Sequence, residues 1–285
     1  MEEKRGGRSM GKRWWAYILM LPGLLVITVF LILPIINTIL PTFYDGDTVS
    51  LKLYSDFLQD DYYQGIIFRT LRIAVITVIF CVILGLPAAY FISRANKKIR
   101  GMLIAFTIFP LLTNSVVRSF AWITILGQNG VINNLLQALN IITTPIRLLY
   151  TEFAIIIGSI YLFLPLMIVS LVGVMENIEP ELMEASESLG ANRVVTFFKV
   201  VFPLSVPGLI VGSVLVFAGA ASAYTTPRLL GGNRNIVLST LLYQQANTLG
   251  NWINAGMIAL IMIVLSVVMI KVINMLAAKI NERGV

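Results

Sequence analysis

A hydrocarbon core about 30 Å thick takes roughly 20 apolar residues of helix to cross, and runs of that length recur along this chain. They fall at roughly 15–40, 71–93, 101–126, 152–175, 205–226 and 253–277. Of the 285 residues 58% are hydrophobic and only 12% are charged, with a mean hydropathy of +0.87. A soluble domain carries about 25% charged residues. The chain therefore reads as an all-α integral membrane protein with about six transmembrane helices. No sustained period-two alternation is present, which argues against a barrel. The first run follows Lys12 and Arg13 but is too long for a signal-peptide core and lacks a small-residue cleavage site, so it reads as a retained span.

The distribution of basic residues orients the spans. Lys4, Arg5, Arg8, Lys12 and Arg13 precede the first run, and Arg94, Lys97, Lys98 and Arg100 lie between the second and third. Arg193 and Lys199 lie between the fourth and fifth, and Lys271, Lys279 and Arg283 close the chain. These are most of the 21 lysines and arginines, and by the positive-inside rule they mark the cytoplasmic side. Both termini are then expected in the cytoplasm. The organisation expected is a basic tail over 1–14, one transmembrane domain over 15–278 and a short tail over 279–285. A net charge of +7 arranged in this way suits anionic lipid, not nucleic acid.

Several chemistries are argued against by residue type. The stretch "GGRSMGKR", residues 6–13, imitates a phosphate-binding loop. Arg13 stands where the magnesium-binding hydroxyl belongs, no strand precedes it and a membrane helix follows, so nucleotide binding is not expected. The chain has no histidine and one cysteine, Cys81, inside an apolar run, so neither a metal site nor an internal disulfide is expected. Cys81 reads as a small buried side chain.

The connections carry more information. Residues 41–70 form an acidic, aromatic segment that suits a solvated cap or a docking surface, and "VINNLLQALNI" at 131–141 has helical spacing that suits an interfacial or a packed helix. Prolines 22, 34, 87, 110, 165 and 207 fall within or near the spans, where each removes a helical hydrogen bond. In the fifth run Gly212, Gly219, Ala220 and Ala223 are small enough for close helix approach, a partner subunit being one candidate for the other side. "TNSVVR", residues 113–118, interrupts the third run. A charge at the bilayer centre costs about 2.5–3.5 kcal/mol on insertion scales, so Arg118 is expected to face a wet cavity or to snorkel outward.

Between the fourth and fifth runs, over 176–203, lies an unusually polar connection, "EASESLGANRVVTFFKVVFP" in its second part. Pro180 suits a first helical turn, Glu181 and Glu184 suit the positive end of the helix dipole, and Gly190 suits a left-handed stop. Leu182, Ala185 and Leu189 share one face of this helix. Asn192 caps a second helix, which must end or bend before Pro203. A rigid helix, corner and helix between two spans can transmit force from a soluble partner; an interfacial segment without a partner is the plainer alternative.

"EASESLG", nine further residues and "VVFP" resemble the E-A-A-x-x-x-G-x9-I-x-L-P loop of bacterial ABC importer permeases. Glu184, Ala185, Gly190 and Pro203 stand in the motif's positions, while Ser186, Val200 and Phe202 replace its second alanine, isoleucine and leucine; Glu187 lies within it. "PLLTNSVVRSFAW" at 110–122, "TPIRLLYT" at 144–151 and "PRLLGGNRNIVLSTLL" at 227–242 resemble the spermidine/putrescine group of that family, so the likeness covers nearly the whole chain. The resemblance implies the type I ABC importer permease fold, with a cytoplasmic coupling helix between helices 4 and 5 that docks on an ATPase dimer. It also implies a second homologous permease, an extracytoplasmic solute-binding protein and a location in the bacterial cytoplasmic membrane. The chain itself would have no catalytic residue and bind no cofactor, with ATP and magnesium held by the partner ATPase.

Candidate pathway residues are Thr113, Asn114, Ser115 and Arg118 on the third run, with Tyr224, Thr225, Thr226 and Arg228 near the outer end of the fifth. The spans hold almost no acids, with Glu152 at an edge, whereas a polycation favours carboxylates or aromatic faces. Polyamine, favoured by the resemblance, and an anionic or zwitterionic solute, amino-acid-like or a phosphonate, favoured by the arginines, both stay open. A secondary transporter would carry intramembrane coupling residues or inverted repeats, neither of which is found. A signalling receptor would carry a soluble domain, and the chain ends soon after its last span, at "AAKINERGV".

Overall fold

The computed structural model describes residues 19–46 and 48–281. The basic tail, its imitation of a phosphate loop, Asp47 and residues 282–285 lie outside the described residues.

The helix α1 spans Leu19–Phe43, and a two-stranded hairpin, β1 (Tyr44–Asp45) with β2 (Thr48–Val49), turns the chain back. Then come α2 (Lys52–Gln59), α3 (Asp61–Arg94), α4 (Lys97–Leu112), α5 (Ser115–Leu126) and α6 (Val131–Ala138). The spans α7 (Glu152–Met175) and α9 (Arg193–Ser222) flank α8 (Pro180–Ser188). The chain continues through α10 (Pro227–Gly231) and α11 (Leu238–Tyr243) to α12 (Trp252–Asn281).

Among the described residues five helices are long and apolar enough to cross a membrane, and α4 with the segment after it makes a sixth if that bent pair is one span. The expected third span, 101–126, is therefore not one rod. It breaks at Thr113 and Asn114, and the two arms meet at 92°. The second span also starts earlier than its apolar run. Asp60 caps it by accepting the Tyr62 N–H at 2.8 Å, and Phe57 stacked on Tyr63 carries the helix beyond the bilayer-length core.

Two spans contain a wide turn just before a proline: Thr28–Ile32 before Pro34, and Phe197–Val201 before Pro203. A proline has no N–H for the carbonyl four residues earlier, and the wider π turn absorbs that mismatch. The second helix of the polar connection thus neither ends nor kinks sharply before Pro203. It runs on into the fifth span, making α9 a single element of 30 residues.

The core lies where α3, α7 and α9 pack together, with Ala74, Cys81, Met167, Leu171, Val216 and Phe217 buried. Cys81 is one of the small side chains of this core. The small residues of α9 meet α7 of the same chain, so the close approach they permit is intramolecular. A β-carbon on Gly212 would stand 2.7 Å from Met167 Sδ, and one on Gly208 would stand 2.8 Å from the Ser170 carbonyl oxygen. Without a hydrophobic driving force between helices in lipid, such close contact is what holds spans together. The α1 helix, by contrast, leaves its apolar residues exposed and meets the rest through Thr38 and Thr42, against Gly256 of α12.

Gly212→Leu is expected to cost about 1–3 kcal/mol by overpacking the α7–α9 contact. A lowered unfolding temperature of the purified protein in detergent checks this, with Gly23→Leu on exposed α1 as the neutral control.

Candidate functional site

The polar connection folds as a helix, a corner and a second helix. Pro180 opens α8, and the helix closes at Ser188, where Gly190 takes a φ of +90°. The Gly190 N–H returns to the Glu187 carbonyl at 2.9 Å, and the Ala191 N–H to that of Ser186 at 3.1 Å. Asn192 starts the second helix by accepting the Val195 N–H at 2.9 Å. Ser186 and Thr196 share a hydroxyl hydrogen bond of 3.1 Å across the corner. The serine that departs from the alanine of the motif thus ties the two short helices to each other.

The inner side of this hairpin is anchored. Tyr90 at the end of α3 donates to Met183 Sδ at 3.9 Å and meets Phe197 edge-on at 5.2 Å. Arg94 Nη1 donates to the Ile178 carbonyl at 3.2 Å, and Arg100 pairs with Glu176 at 3.2 Å. Pro203 is half-buried below the second helix. The outer side is uncovered: Glu184, Ala185 and Glu187 are exposed, Leu182 is 44% exposed, and Leu189 at the corner is 90% exposed. An apolar stripe held rigidly and left in the open is unlike a segment that has folded onto its own protein.

At the opposite end, Thr113, Asn114, Ser115 and Arg118 build the bend of the broken span. Asn114 accepts the N–H groups of Val116 and Val117, capping α5, and Ser115 supplies the carbonyl to which Ser119 donates at 2.8 Å. Arg118, 9% exposed, turns back on its own bend and donates to the carbonyls of Pro110 at 2.9 Å and Thr113 at 3.3 Å. It neither faces open water nor snorkels outward. Its charge satisfies the carbonyls that the end of α4 leaves without helical partners.

The second set of candidates lies past the end of α9. Tyr224 stacks on Tyr243 with ring centres 4.2 Å apart, beside a cleft of 340 Å³ that Arg228, Asn233, Thr240, Gln244 and Thr248 also line. Thr225 is half-buried, and Thr226 is buried against Gly158. Arg228 is exposed and donates to Asn233 Oδ1 at 2.7 Å. On its other side is a 580 Å³ cavity lined by Arg147, Tyr150 and Arg234. Among the described residues no carboxylate lines either cavity. Two other arginines share one carboxylate: Glu152 at the start of α7 pairs with Arg69 at 3.2 Å and with Arg72.

The two candidate sets thus do not share one cavity. The far side of the cleft, Tyr243 at the end of α11 with Gln244 and Thr248 in the turn after it, escaped the sequence reading. Its signal was the polar run "YQQANT", 243–248, between apolar stretches, and only the fold brings it opposite Tyr224.

Residues 81–284 match the family described as the binding-protein-dependent transport system inner membrane component. The chain belongs to that family. This permease is 34% identical over 239 residues to the spermidine/putrescine transport system permease protein PotB of Escherichia coli, covering 82% of the chain and 87% of the relative. It is 33% identical to PotB of Haemophilus influenzae, covering 84% of the chain and 82% of the relative. Its fold matches a bacterial ABC transporter that imports the acidic polysaccharide alginate, with a TM-score of 0.79 at 18% identity over 97% of the permease and 99% of that chain. A second structure of the bacterial alginate transporter, in complex with an alginate pentasaccharide-bound periplasmic protein, matches at 0.78 with 19% identity, over 98% of the permease and 99% of that chain. The type I importer permease fold follows, and the chain is a multi-pass membrane component of a binding-protein-dependent transport system of the inner membrane.

Arg118→Leu is expected to destabilise the permease by about 1–3 kcal/mol, because the carbonyls at the bend lose a charged donor. Thermal unfolding in detergent measures it, and Arg147→Leu, an exposed arginine outside the bend, is expected to change stability little.

Proposed function

We propose that this permease is one of two homologous membrane subunits of an ABC importer, with both termini in the cytoplasm and α8 serving as its coupling helix. A dimeric ATPase, which holds the ATP and magnesium, grips the corner from Leu182 to Gly190. Its closure tilts α7 and α9 and alternates the pathway between outward and inward openings. The observation that carries this reading is the rigid corner itself: anchored inside by Tyr90, Met183 and the Ser186–Thr196 bond, and bare outside at Leu189. Arg94, Lys97, Lys98, Arg100, Arg193 and Lys199 gather at the same end, which supports a cytoplasmic placement.

The cargo is a small polycation of the spermidine and putrescine class, delivered by the extracytoplasmic binding protein. PotB relatives alignable over most of the chain support this. So does the Tyr224–Tyr243 stack, since aromatic faces attract ammonium groups by about 0.5–2 kcal/mol. Glu152 offsets one of the two charges of Arg69 and Arg72, and Arg118 turns back onto its own bend, so fewer positive charges face the outer opening than the sequence suggests. Arg147, Arg228 and Arg234, which line one cavity without an acid, favour the second reading, an anionic or zwitterionic solute.

Uptake of labelled spermidine by the reconstituted importer with its binding protein tests both parts. Wild type is expected to accumulate spermidine and to ignore a phosphonate competitor. Glu184→Lys and Gly190→Pro are expected to abolish uptake while inserting at normal levels. Normal uptake by those variants would refute the coupling role, and phosphonate uptake would refute the polyamine assignment.

A further inference from the structure

A cavity that neither coupling nor transport accounts for lies at the cytoplasmic end, between α3, the coupling hairpin and the start of α9. It measures 820 Å³ and its wall is mostly apolar: Ile83, Leu86, Met183, Phe197 and Phe198. Three charged side chains also line it, Arg94, Arg193 and Glu187, so two guanidinium groups oppose one carboxylate.

Arg94 is incompletely satisfied. Its Nη1 reaches the Ile178 carbonyl, and its guanidinium carbon lies 5.8 Å from the centre of the Tyr90 ring. Its Nε and Nη2 are buried and have no acceptor among the described residues. Buried charged donors left unmet cost more than ordinary ones, and such groups call for an anion or water. Arg193 is exposed, and no carboxylate among the described residues pairs with it.

We propose that this cavity holds one anionic phospholipid of the inner leaflet. The phosphate sits between Arg94 and Arg193, meeting Nε and Nη2 once the Arg94 guanidinium turns toward the cavity. One acyl chain runs along Ile83, Leu86 and Phe198 toward the bilayer. Charge and lining both select this occupant: a basic pocket between helices at the cytoplasmic surface takes a lipid phosphate, and the exposed apolar residues Ile83 and Phe198 lead from it toward hydrocarbon. The lipid would wedge the coupling hairpin against α3 and so tune how stiffly motion at the corner reaches the spans. This inference rests on the cytoplasmic placement of the corner proposed above.

The test uses the intact importer, extracted with its lipids and weighed by native mass spectrometry. Wild type is expected to retain phosphatidylglycerol in preference to phosphatidylethanolamine. Arg94→Gln with Arg193→Gln is expected to lower that retention about tenfold, the equivalent of one charge-assisted hydrogen bond. Arg94→Lys with Arg193→Lys keeps the charge and is expected to keep part of the preference. Gly190→Pro is expected to keep the lipid while losing transport, so failure of the coupling reading and failure of this one are separable. A photoreactive residue at position 198 supplies an independent readout, expected to label lipid. Equal retention of both lipids by wild type, or labelling of a protein subunit in place of lipid, would overturn the proposal.

Discussion

The seating of α9 on α7 is the contact on which the rest depends. Gly208, Gly212 and Gly219 bring the two backbones close enough that Ser170, Met167 and Phe163 fill the notches left by missing side chains. In a bilayer, where apolar surface gains nothing by leaving lipid, such contact substitutes for the hydrophobic effect. The hairpin carrying the corner joins these same two helices. On the proposed coupling role, a push on the corner would reach two helices already packed tightly against each other.

The charges of the chain divide by task. At the end with the corner, basic residues crowd the hairpin and its anchors, as in the Arg100–Glu176 pair. At the other end several arginines are used internally: Arg69 and Arg72 hold Glu152, and Arg118 stitches the bend of the broken span. Glu152 offsets one charge of the Arg69 and Arg72 pair, and Arg147, Arg228 and Arg234 stand around one cavity beside the tyrosine cleft with no acid in its lining among the described residues. Among the described residues the cleft offers aromatic faces and hydroxyls and no carboxylate.

Much of this was legible before any coordinates, because long apolar runs in a bilayer have few ways to fold. The fourth run matched α7 at both ends, and the Pro180, Gly190 and Asn192 signals each did the local job their chemistry predicts. The failures have physical causes. Apolar content could not show that "TNSVVR" is a right-angled turn, since Asn114 capping and Arg118 bonding back to Pro110 are decided by geometry. The small residues of α9 announced a close neighbour without saying which, and α7 of the same chain filled that place. Tyr243 was invisible as a site residue because the turn of the chain between α10 and α11, not sequence spacing, sets it against Tyr224.

The central claim is that a cytosolic motor holds the bare corner. Photocrosslinking from position 189 in intact cells, in a strain carrying the whole transporter, tests it most directly. The account predicts capture of the nucleotide-hydrolysing subunit, with a yield that changes when ATP is depleted. Capture of lipid alone from that position, with the ATPase present and never labelled, would contradict it.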